Sequence, residues 1–121
     1  MVLADSNVLL RALQRAHPMS APAWNALRLL RQRNELVFAS QNIVEAWVVA
    51  TRPVNANGLA WSVSRAAAFM TRISSAIPVL AETPALHDEW KRLVVEHRVS
   101  GKNAYDARIV AAMRVSGTRY I

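Results

Sequence analysis

The sequence predicts an α/β fold in which a parallel β-sheet is covered by helices on both faces. Short apolar runs of four or five residues alternate with longer segments whose apolar residues recur at helical spacing. One or two predicted helices separate successive predicted strands, an order typical of parallel sheets. The chain has 121 residues, of which 53% are hydrophobic, so we expect one packed domain over residues 1–121 and no second domain.

The predicted elements of the first half begin and end at familiar signals. The first apolar run stops at Asp5, and His17-Pro18 ends the helix that follows it. Ser40 is expected to cap the third helix, and Pro53 stops that helix. In chain order, we predict a strand at residues 1–4, helices at 6–16 and 21–33, a strand at 35–39 and a helix at 40–51.

The second half starts with the clearest loop, at residues 54–58. Thr83 is expected to cap the fifth helix, with Pro84 in its first turn. Asn103 is expected to cap the sixth helix, and Gly117 to end it. We predict a helix at 59–75, a strand at 77–81, a helix from 84, a helix at 104–115 and a strand from 118. This last strand is short even for a sheet edge, so we expect it to be truncated at the end of the chain.

Composition narrows the class of protein. Without cysteine, the chain has no disulfide, no thiolate zinc ligand and no thiol nucleophile, which is compatible with a reducing cytosol. The amino-terminal residues do not resemble a signal peptide, and no apolar run is long enough to span a membrane, so we expect a cytoplasmic protein. The net charge of +7, from 15 basic and 8 acidic residues, favours an anionic partner such as nucleic acid.

Three carboxylates are candidates for a metal site. Asp5 directly follows the first strand, Glu45 lies early in the helix after the second strand, and Asp106 lies in the first turn of the last helix. Ligands of open parallel sheets bind outside the carboxyl ends of the strands, so we expect all three side chains at one crevice. Oxygen ligands favour Mg²⁺ or Mn²⁺ over zinc, and such an ion can activate water against a phosphodiester.

Each of the three acids also has a purely structural interpretation. Asp5 is suited to capping the first helix. Asp106 can interact favourably with the dipole of the last helix. Glu45 is surrounded by apolar residues, where a carboxylate is costly unless it binds a metal or pairs with an arginine. A fourth acid, Glu82, follows the third predicted strand, and we expect it to lie in a loop.

Three segments of the sequence resemble the blocks of PIN-domain ribonucleases of the VapC toxin type. The first is Asp-Ser-Asn-Val-Leu-Leu at 5–10. The second is Asn-Ile-Val-Glu-Ala-Trp at 42–47, followed by Ala-Thr-Arg-Pro at 50–53 and Gly58. The third is Gly-Lys-Asn-Ala-Tyr-Asp-Ala at 101–107, followed by Ile-Val-Ala-Ala at 109–112. The three blocks have the order and spacing of that family, and together they cover most of the chain.

The resemblance implies a PIN-like parallel sheet sandwiched by helices and a Mg²⁺- or Mn²⁺-dependent ribonuclease. It assigns catalytic and metal-binding roles to Asp5, Glu45 and Asp106, and supporting hydrogen bonds to Ser6 and Asn7. It also implies a toxin of a toxin–antitoxin system, with RNA as substrate, a cognate antitoxin protein as partner, and a homodimeric assembly without a membrane role.

The sequence departs from the family's pattern at its carboxyl end. The family continues beyond the last strand into a loop with a further Asp, and nothing follows Ile121 here. This departure keeps an alternative open: a catalytically impaired PIN scaffold that binds RNA or an antitoxin without efficient cleavage. The other classes fit poorly, because a haloacid-dehalogenase phosphatase needs an Asp where Asn7 stands, and the chain has no convincing helix-turn-helix.

Overall fold

The computed structural model describes residues 1–120, and their side chains over residues 1–118. Over these residues, three short strands and six α-helices follow one another in the predicted order, except that the strand predicted at 77–81 is not formed. In chain order they are β1 (Val2–Leu3), α1 (Ser6–Leu13), α2 (Ser20–Gln32), β2 (Leu36–Val37), α3 (Ser40–Thr51), α4 (Val63–Ala76), α5 (Pro84–Glu96), α6 (Asn103–Ser116) and β3 (Arg119–Tyr120), with a 3₁₀ helix (Val54–Ala56) between α3 and α4. Within residues 1–120, no helix has both the length and the apolar character that crossing a bilayer requires.

The sheet is parallel, with strand order β2-β1-β3. The third predicted strand, at residues 77–81, is reduced to one parallel bridge between Phe38 and Val79 beside β2. The prediction of a full strand there is wrong because this edge is exposed and Pro78 has no amide hydrogen to donate. The predicted last strand is present as β3. Its truncation stays a prediction, since Ile121 lies outside the described residues.

Successive strand residues contribute to two separate apolar clusters. Leu3 and Val37 pack with residues of α5 and α6, whereas Ala4, Leu36 and Phe38 pack with residues of α1, α2, α3 and α4. This alternation follows from the two-residue period of a strand. The predicted α/β class with a small parallel sheet is therefore confirmed.

Helix α6 begins at Asn103, and Lys102 rather than Asn103 is at its N-cap position. The starts of α3 and α4 also differ from the prediction, in ways that affect the crevice. Ala39, not Ser40, is at the N-cap position of α3, and the Asn42 side chain accepts a hydrogen bond from the Ala39 amide at 2.9 Å. This frees the Ser40 hydroxyl for another contact. Helix α4 begins at Val63 rather than near residue 59, because Ser62 is its cap and residues 59–61 bond instead to the end of α3.

Candidate active site

The three predicted carboxylates line one open crevice of about 960 Å³. Asp5 follows β1, Glu45 is on the second turn of α3, and Asp106 is in the first turn of α6. Strands β1, β2 and β3 are parallel, so the residues after β1 and β2 emerge at the same edge of the sheet, and the helices that follow begin there. The topology thus places on one crevice Asp5 and Glu45, which are 40 positions apart in the sequence, and Asp106, which is 61 positions after Glu45.

One hydroxyl lies between Asp5 and Glu45. Ser6 is buried at the start of α1, donates to Glu45 Oε2 at 3.1 Å and lies 3.5 Å from Asp5 Oδ1. A serine has a single hydroxyl proton, so it can donate to only one of the two carboxylates at a time. The Asp5 and Glu45 carboxylates are therefore held close together, and their oxygens can accept more hydrogen bonds than Ser6 can donate. Such an arrangement favours a bound cation.

Gln41 positions Glu45 from the other side, and the sequence reasoning missed it. Its buried side chain donates from Nε2 to Glu45 Oε1 at 3.0 Å and to the Tyr105 carbonyl oxygen at 2.8 Å. The second bond connects α3 to the first turn of α6, next to Asp106. The spacing of four residues between Gln41 and Glu45 on one helix face is the signal that could have identified this pair.

The structure agrees with the purely structural interpretation of Asp106 better than with those of Asp5 and Glu45. Asp5 occupies the N-cap position of α1, but its side chain makes no capping hydrogen bond. Glu45 has no basic partner within 4 Å among residues 1–118, so pairing with an arginine does not explain it there. Asp106 is exposed in the first turn of α6, where an interaction with the helix dipole is compatible with either interpretation.

The carboxylate oxygens of the crevice are better suited to a Mg²⁺ ion that also binds water and substrate than to an ion fully enclosed by protein ligands. Within the described part of the chain, no three Asp, Glu or His side chains are grouped closely enough to hold one ion. Mg²⁺ is commonly bound by one or two carboxylates, with water and substrate phosphate completing its shell. Asp5 and Glu45, bridged by Ser6, match that requirement, and Asp106 lies on the same crevice.

A fourth carboxylate, Glu82, lies in a loop, as expected, and also lines the crevice. The Ser40 hydroxyl donates to its Oε1, and Arg108 Nη2 donates to the same atom at 2.7 Å. The hydrogen bond from Ser40, and then the contact with Arg108, hold the pKa of Glu82 below its ordinary value of 4.5. Glu82 thus has a basic partner, whereas Asp5 and Glu45 have none within residues 1–118. Asn7 lines the crevice too, and the side-chain hydrogen bonds of residues 1–118 do not include it.

Arg52 completes the crevice at the far end of α3. The chain after it folds back onto the helix end, where the amides of Leu59, Ala60 and Trp61 donate to the carbonyls of Val49, Arg52 and Ala50 respectively. These bonds satisfy carbonyl groups that the end of a helix leaves unpaired. The position of Arg52 is therefore fixed by the loop at 54–58 and the segment that follows it.

Comparison with known proteins supports the fold that the three sequence blocks predict. No protein-family model matches the chain, and no curated protein matches it. Among solved structures, the chain is similar to VapC20 of Mycobacterium tuberculosis, a toxin that cleaves the sarcin-ricin loop. The TM-score is 0.65 at 18% sequence identity, and the match covers 98% of this chain and 85% of VapC20. The chain therefore has the fold of a VapC-type PIN domain.

Proposed function

We propose that this protein is a metal-dependent endoribonuclease of the VapC toxin type, with Asp5, Glu45 and Asp106 as the carboxylates of its active site. The observation that carries the proposal is their position on one crevice at the carboxyl edge of the sheet, without an ion pair to residues 1–118. Asp5 and Glu45 share the Ser6 hydroxyl instead of a basic partner. The likeness to VapC20 supports the same activity.

Asp5 and Glu45 would hold Mg²⁺ or Mn²⁺, with Asp106 contributing from α6. When bound, the ion supplies an activated water and neutralises charge that develops on the phosphate. The protein's own groups orient the site: Ser6 and Gln41 hold the Glu45 carboxylate from opposite sides. The basic surface raises the local concentration of RNA by electrostatic attraction.

The partners follow from the same proposal. A toxin of this type needs a cognate antitoxin protein, and we expect a homodimer acting in the cytoplasm. The RNA bound by the structural relative makes a sarcin-ricin-loop hairpin the first substrate to try.

The test is cleavage of such a hairpin with Mg²⁺, with Mn²⁺ and with excess EDTA. We expect cleavage in either metal and none in EDTA. Asp5→Asn should abolish it, and Asp88→Asn, which neutralises an exposed acid on α5, should leave it unchanged. Cleavage that persists in EDTA or in Asp5→Asn would overturn the proposal.

One observation favours a second candidate function. Because no three acidic or histidine side chains within residues 1–118 group tightly enough to hold an ion, a catalytically impaired scaffold that binds RNA or an antitoxin is the alternative. A melting temperature that rises with millimolar Mg²⁺ in the unsubstituted protein, but not in Asp5→Asn, would support the enzyme. RNA binding without cleavage or a Mg²⁺ effect would support the scaffold.

A further inference from the structure

Arg52 lies on the crevice that contains the three carboxylates, at the opposite end of α3 from Gln41. It directly follows the last residue of α3, seven positions or about two helical turns after Glu45, and both residues line the crevice. At a rise of about 1.5 Å per residue, their Cα atoms are about 10 Å apart along the helix axis. A guanidinium at that separation is suited to a neighbouring group of a substrate that is held at Glu45.

The chain holds Arg52 in place by a close backbone approach. Its Nη2 donates to the Asn57 carbonyl oxygen at 3.1 Å. A Cβ atom at Gly58 would lie 1.9 Å from the Arg52 carbonyl oxygen and 2.4 Å from its Cγ, so only glycine fits beside this arginine. The loop therefore fixes both the backbone and the side chain of Arg52, which reduces the entropy lost when a ligand binds.

The donors of Arg52 are only partly used by the protein. Its Nε is buried without a hydrogen-bond partner, and none of the ion pairs within residues 1–118 includes it. Arg108, the other arginine of the crevice, is bound to Glu82. A buried donor without a partner is costly. Because Nε is covered by protein, the donors of Arg52 that can reach a ligand are those on its Nη atoms. A role restricted to tying down the loop accounts only for the bond from Nη2.

We propose that Arg52 binds a backbone phosphate of the RNA that flanks the scissile phosphate. The inference rests on the proposed ribonuclease function and adds the residue that fixes the register of the RNA strand in the crevice. A guanidinium suits this task because its charge is permanent and its fork of donors matches phosphate oxygens. The carboxylates would hold the cation, whereas Arg52 would contact the RNA directly.

The test measures binding apart from cleavage. The probe is a fluorescein-labelled sarcin-ricin-loop hairpin in EDTA, titrated with protein at several salt concentrations and followed by anisotropy. Arg52→Gln removes the charge and keeps a donor for the Asn57 carbonyl. We expect it to raise Kd about tenfold at low salt and to reduce the salt dependence by about one phosphate contact. Arg52→Lys should lie between this variant and the unsubstituted protein.

Two further variants separate RNA binding from folding. Gly58→Ala should displace Arg52 and weaken binding as much as Arg52→Gln, and the double variant should be no weaker than either single one. Arg72→Gln, the same charge change on an exposed face of α4, is the matched control and should change Kd by less than about twofold. Circular dichroism confirms that each variant is folded.

The outcomes distinguish this inference from the function on which it rests. If Arg52→Gln binds like Arg72→Gln while the unsubstituted protein cleaves RNA, the role of Arg52 is overturned and the ribonuclease stands. If binding weakens as expected but no cleavage occurs in Mg²⁺ or Mn²⁺, the role of Arg52 stands and the catalytic proposal is overturned. If the unsubstituted protein does not bind RNA, both are overturned.

Discussion

Glu89 on α5 and the pair formed by Asp5 and Glu45 in the crevice have opposite surroundings. Glu89 on α5 contacts Arg92 at 2.6 Å and Arg114 at 3.4 Å, and Arg92 holds its pKa below the ordinary value. Asp5 and Glu45 have no basic partner within residues 1–118 and share one serine hydroxyl.

The difference indicates what each set contributes. Exposed pairs on α5 stabilise the fold only slightly, because water and salt screen them. Two unpaired carboxylates held close together repel each other and reduce stability, a cost that proteins commonly retain where a function needs it. The comparison therefore predicts opposite effects when one acid of each set is neutralised.

The largest expected effect is on cleavage in Glu45→Gln. Losing a direct metal ligand should lower the cleavage rate more than the roughly 10–100-fold expected for a supporting residue. The melting temperature should hold or rise, because the repulsion with Asp5 is removed. Glu89→Gln should show the reverse, with unchanged cleavage and a slightly lower melting temperature. Equal cleavage rates in the two variants would contradict the distinction between the sets.

The next effect concerns the support of Glu45 by Gln41. Gln41→Ala removes both the bond to Glu45 and the link to the Tyr105 carbonyl, so we expect cleavage to fall by about 10–100-fold. Because the carboxylate remains, a higher Mg²⁺ concentration should restore part of the rate, unlike in Glu45→Gln. A rate loss that no Mg²⁺ concentration reduces would indicate that Gln41 has only a structural role.

The sequence predicts the α/β class and the positions of Asp5, Glu45 and Asp106 because these depend on patterns that are local along the chain. The four-residue spacing between Gln41 and Glu45 could have identified Gln41, but its link to the Tyr105 carbonyl could not be foreseen, and neither could the bond from Arg52 to the Asn57 carbonyl, because both acceptors are backbone atoms.

The prediction of Ser40 as a helix cap was wrong for a related reason. Ala39 is at the N-cap position of α3 and its amide donates to the Asn42 side chain, whereas Ser40 donates to Glu82, which is 42 positions away in the sequence. Short-range preference identifies which residues can cap a helix, but the long-range contact decides which one does.

The smallest expected effect is a pH dependence of stability that Glu82 shares with Glu89. The pKa of each carboxyl is lowered from 4.5 in the folded protein, so the stabilisation is complete above that pH and is lost as the pH falls through the lower folded value. Glu82→Gln should therefore flatten the fall in melting temperature below pH 4.5. The change should be small because half of the Glu82 side chain is exposed, and it should shrink further in high salt. An acid profile identical to that of the unsubstituted protein at low salt would show that Ser40 and Arg108 do not stabilise the fold through Glu82. Glu82 would then resemble Asp5 and Glu45, rather than Glu89, in having no stabilising partner.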